Sequence, residues 1–124
     1  MPVAYWCILI AALLPLVWVG YAKSGSRDNN APRDDADRLD GAKRRAYAAH
    51  QNAYENFPFF AVAVMAALSF GASPGVVDWL AVLYIAFRVA HGLLYVADKP
   101  SLRSMAYAGA LFVNIAIFVL PAFK

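Results

Sequence analysis

Reactive and metal-binding side chains are scarce: the 124 residues include one cysteine and two histidines. Cys7 stands alone, so it closes no internal disulfide, and its place in an apolar run makes it a small lipid- or helix-facing residue. His50 and His91 are too few for a metal centre, and neither has a Cys or carboxylate partner at a usable helical spacing, so no metal is expected. There is no Gly-rich phosphate loop, P-loop or nucleophile elbow, which leaves out the nucleotide-binding and hydrolase chemistries those motifs carry. Charge is sparse and segregated: it makes up 15% of residues, and 12 of the 19 charged side chains lie between Lys23 and Arg45. No basic patch interleaves with aromatics, so nucleic acid is not a partner. No Lys or Arg precedes the first apolar run, which is also longer than the core of a signal peptide, and so a retained helix is expected there.

What remains is hydrophobic. At 62% hydrophobic residues and a mean hydropathy of +0.52, the chain is too apolar for a soluble domain of its size and reads as an integral membrane protein. Apolar runs and their breakers predict an all-α, four-helix bundle in a single domain, with spans over 2–22, 44–70, 76–97 and 102–120 and a polar loop over 23–43. Pro15 and Pro58 fall inside the first and second helices, and Pro58 is expected to kink its helix where polar sequence becomes apolar. Asp34, Asp35 and Asp37 stand where the second helix could start. Nine of the eleven Lys and Arg residues lie in the two polar loops. The positive-inside rule therefore puts both loops in the cytoplasm and both termini outside.

One stretch departs from this pattern. Residues 45–60, RAYAAHQNAYENFPFF, run charged and amide side chains straight into a membrane-grade run, and such groups cost roughly 2.5–3.5 kcal/mol each on insertion scales. On a helix, Arg45, Asn52 and Glu55 share one stripe, while His50 and Tyr54 form a second edge. In the third span Tyr84, Arg88, His91 and Tyr95 fall on one narrow face. Arg88 sits deep enough to need a counter-charge, with Glu55 as the expected partner. An ion pair that merely locks two helices would satisfy those two residues. It leaves the gathering of Gln51, Asn52, His91 and Tyr95 unexplained, and that set reads as a pocket for a polar, charged molecule. Asn114 reads as interhelical hydrogen-bond glue beside Ala108, Gly109 and Ala110.

At these residues the chain resembles the MAPEG family, the membrane-associated proteins of eicosanoid and glutathione metabolism. The segment 45–60 is similar to that family's R-A-x-x-A-x-x-N-x-x-E-x-x-P-x-F. Arg88-x-x-His91-x-x-x-Tyr95, Pro100 to Ser104, Arg27-Asp28-Asn29 and Pro32-Arg33 are similar to its bacterial branch. The resemblance implies a homotrimer in a bacterial inner membrane, with glutathione as co-substrate held between subunits near the cytoplasmic face. It also implies a transferase or peroxidase that joins the thiol to lipophilic electrophiles or reduces lipid hydroperoxides. Carried over, Arg45, Asn52, Glu55, Arg88, His91 and Tyr95 would bind glutathione. Arg103 would be the catalytic arginine beside the sulfur, and Arg27, Arg33, His50 and Gln51 would reach in from a neighbouring subunit. Ala48 departs from the pattern, since glutathione-using members carry an arginine there.

Two other functions stay open on the residues alone. A non-catalytic lipid-binding protein would account for Ala48. A small four-span multidrug or ion transporter would use Glu55 as its proton-coupling group, although its polar residues would be expected nearer the midplane.

Overall fold

The computed structural model describes residues 1–24 and 39–123, so Arg27, Arg33, Asp34, Asp35 and Asp37 lie outside the described residues. The described chain forms four helices: α1 (Val3–Ala22), α2 (Gly41–Ser69), α3 (Pro74–Val96) and α4 (Pro100–Val119), the last running into a 3-10 turn, Leu120–Phe123. In α1 the buried positions Ala4, Cys7, Ala11, Pro15, Trp18 and Ala22 recur every three or four residues, so one stripe packs inward. The other helices repeat the device with mostly small residues, Ala46, Ala49 and Ala53 in α2 and Ala106 and Ala110 in α4, which lets backbones approach closely. Both α3 and α4 open on proline at the first helical position, where the missing N–H has no helical partner to lose.

Three helices are long and apolar enough to cross a membrane: α1, α3, and α4 with its 3-10 extension. The fourth expected span, α2, falls short on composition, because its first half carries the polar sequence. It begins a few residues earlier than 44 and continues as one helix through Pro58.

Point contacts set the levels of the helices. α1 and α3 run parallel: the Ala4 amide donates to Asp78 Oδ1 at 2.8 Å near one end, and the Trp18 indole covers Gly92 near the other. α2 runs antiparallel to α3, with Asn52 level with Arg88, and Phe60 stacked on Tyr84 at 4.0 Å between ring centroids. α4 returns antiparallel, bringing Tyr107 to His91 and Arg103 to Tyr95. One end of the bundle is therefore basic, with Lys23, Lys43, Arg44, Arg45, Lys99 and Arg103, and the main apolar core lies toward the other.

Each end of α3 is joined by a turn with the same hydrogen-bond pattern. Before it, Ala72 N–H bonds to the Ala67 carbonyl and Gly71 N–H to Leu68; after it, Lys99 N–H bonds to Leu94 and Asp98 N–H to Tyr95. This double bond closes a helix when the penultimate residue is left-handed. Gly71 (φ 87°) takes that conformation freely, whereas Asp98 (φ 61°) takes it at a cost.

Candidate functional site

The polar sequence of α2 and the stripe of α3 meet at the basic end. The Arg88 side chain, 4% exposed, lies between α2, α3 and α4, and its Nη2 donates to Asn52 Oδ1 at 2.7 Å. Asn52 is braced from within its own helix: Asn56 Nδ2 donates to the Asn52 carbonyl at 2.8 Å and to Oδ1 at 3.3 Å. One turn toward the basic end, His91 is 3% exposed, and its Nδ1 has no hydrogen-bond partner among the described residues. Its ring lies edge-on to Tyr95, with centroids 5.7 Å apart, and 5.9 Å from Tyr107. The Arg103 guanidinium stands 4.4 Å over the face of Tyr95, a cation–π contact that holds it at the rim. Asn52, His91, Tyr95, Arg103, Ser104 and Tyr107 together line a half-open cleft of about 240 Å³.

Glu55 is not the partner of Arg88. It is exposed on the outer face of α2, and among the described residues no ion pair joins the two. Asn52, one turn nearer the basic end, reaches Arg88 first and offers it a neutral oxygen. The cation is thereby hydrogen-bonded but not neutralised, an expensive state for a buried charge.

Arg45 lies two turns from Asn52 on the same face and donates from Nε to the Val96 carbonyl at 3.1 Å, so it closes the C-terminus of α3 with a positive charge. His50 meets its own α1, with Nδ1 3.0 Å from the Pro15 carbonyl. A carbonyl only accepts, so that nitrogen carries the proton. The same ring contacts Tyr47 and Tyr54, the second edge seen in the sequence. Gln51 is exposed beside Glu55. Ser104 and Tyr107 complete the cleft, and Tyr107 went unmarked in the sequence although its spacing of four from Arg103 puts the two on one helical face. Asp78 was also overlooked; its task is to cap an orphan amide of α1. Asn114 is 2% exposed, yet its Oδ1 has no partner among the described residues, so the expected bridging is not made by that oxygen. Gly109 does allow a close approach, by Phe87. No group of three potential metal ligands occurs among the described residues.

The fold is that of a helical membrane bundle, with a buried cation and an unpartnered imidazole beside a polar cleft at its basic end. The sequence model of the MAPEG family matches residues 3–123, and the chain belongs to that family of glutathione and eicosanoid metabolism. No curated protein matches the chain.

Proposed function

We propose that this protein is a membrane-bound, glutathione-dependent transferase or peroxidase that acts on lipophilic electrophiles or lipid hydroperoxides. The observation that carries this reading is a cleft lined by His91, whose Nδ1 has no partner among the described residues, and by Asn52, behind which Arg88 is buried without a carboxylate. Glutathione is a net anion whose carboxylates would neutralise Arg88 and whose polar groups would satisfy His91. Arg103 at the rim would stabilise the thiolate, the nucleophilic form, and the bilayer would deliver the apolar partner.

The depth of Glu55 supports an oligomer, which we read as a homotrimer. Glu55 stands between the levels of Arg88 and Tyr84, roughly 13–15 Å of helix rise inward from Tyr95. At that depth α1 turns Ile10, Leu13 and Val17 outward, whereas α2 turns out Gln51, Tyr54 and Glu55. A carboxylate there is costly against hydrocarbon, so this face of α2 would meet other copies and offer Glu55 to the glutathione ammonium across the interface. The number three rests on family likeness. The basic end would face the cytoplasm of a bacterial inner membrane, with both termini outside.

Titrating the detergent-purified protein with glutathione while following the ultraviolet thiolate band tests this. A saturable thiolate signal is expected. Arg103→Ala should lose that signal and most turnover while still binding glutathione, whereas Arg88→Ala should bind poorly. Ala48 favours one second reading, a non-catalytic lipid-binding protein; fatty-acyl binding without any thiolate signal would establish it instead.

A further inference from the structure

Behind the cleft, on the other side of α3, lies a second cavity of opposite character. Val17, Trp18 and Tyr21 of α1, with Leu93, Val96 and Ala97 of α3, line an apolar groove of about 290 Å³. Trp18 divides the two: its indole covers Gly92, next in sequence to His91, and packs with Ala49, Ala53 and Tyr95. The groove is open on the outside of the bundle, since Val17 is 60% and Leu93 57% exposed.

Cations ring its mouth. Arg45 reaches the Val96 carbonyl with Nε, and its two terminal nitrogens have no hydrogen-bond partner among the described residues. Lys43 is tied to the Ser24 carbonyl, just past the end of α1, and the Lys23 ammonium stands 5.6 Å over the Tyr47 ring. Asp40 and Asp98 are the described carboxylates at this end, and among the described residues neither is hydrogen-bonded to Arg45 or Lys43. The carbonyls of the last turn of α3 are each hydrogen-bonded, by the Ala97, Lys99 and Asp98 amides and by Arg45, whose positive charge offsets the negative end of the helix.

We infer that this groove is a binding site for one anionic phospholipid, with an acyl chain along Val17, Trp18 and Leu93 and the phosphate on Arg45 and Lys43. An acyl chain gains nothing hydrophobic by leaving the bilayer for the groove. Selectivity therefore comes from the headgroup, and one basic side chain near the surface is worth about fivefold in affinity. The site is separate from the thiol cleft and does not depend on what that cleft binds.

Native mass spectrometry tests it on the intact protein, released from micelles that contain equal phosphatidylglycerol and phosphatidylcholine of matched chains. Retention of phosphatidylglycerol over phosphatidylcholine is expected, lowered about fivefold in Arg45→Gln. Lys99→Gln, a cation off the groove, should leave the preference intact. Leu93→Trp and Val17→Trp fill the groove from opposite walls at exposed positions, and each should abolish retention, so one decides if the other fails to fold. Equal retention of the two lipids overturns the assignment. So does a preference that survives a folded groove-filling variant, or one lost equally in Lys99→Gln, which would mark diffuse surface charge.

Discussion

The two halves of α3 are built to different standards. Toward Pro74, Val77, Ala81 and Tyr84 pack without exposing polar atoms, Phe60 lies flat on Tyr84 at 11° between ring planes, and Asp78 caps α1. Toward Val96, the same face carries Arg88 on a neutral amide, His91 with an orphan nitrogen, and a turn held by Asp98 in the left-handed region. Apart from Asn114 Oδ1 on α4, the Pro74 half is satisfied, and the polar shortfall on α3 itself gathers at the other end; this is the pattern of a scaffold that carries a site, because unpaired buried polar groups persist where something else completes them.

The contrast can be broken most severely from the satisfied half. Phe60→Ala removes a buried ring and leaves Tyr84 facing a void, so a loss of about 3–5 kcal/mol is expected, read by titrated unfolding in mixed detergent micelles. Glutathione affinity of the protein that remains folded should be unchanged, since Phe60 lies two turns from Asn52.

Arg88→Met inverts that outcome. It retires an uncompensated buried cation while keeping the volume of the stem, so stability without ligand should be equal or higher, as when buried charges give way to apolar isosteres. Loss of a charge-assisted contact of about 1.5–3 kcal/mol should weaken glutathione binding roughly 10- to 100-fold, measured by calorimetry. A large drop in melting temperature for Arg88→Met would show that the guanidinium is neutralised structurally, and would sink the idea that it waits for a ligand.

The smallest effect lies at the turns. Gly71 and Asp98 occupy the same position of the same motif, and only the second pays for its conformation. Asp98→Gly should raise stability by about 1 kcal/mol, seen as a higher melting temperature, with the cleft untouched. If stability falls instead, the Asp98 carboxylate has a task beyond its backbone.

Much of this was legible without coordinates. The membrane class, four helices, the inward stripe of α3 and the basic end follow from composition and a period of 3.6, because those depend on one helix at a time. The polar face of α2 was readable for the same reason, and so was its conflict with a bilayer.

Pairing was not. Glu55 and Asn52 lie on neighbouring turns of one stripe, and Glu55 is the better counter-charge on chemical grounds. Which of them meets Arg88 depends on how α2 slides along and turns against α3. That register is set by remote packing: Phe60 on Tyr84, the alanine faces, and Trp18 seated on Gly92. The same holds for Arg45 on the Val96 carbonyl, His50 on Pro15 and Asp78 on the start of α1. Sequence by itself determined which residues carry charge and which face of their helix they occupy. The tertiary structure alone decided which of them touch, because a contact between helices is fixed by the summed packing of side chains that carry no charge.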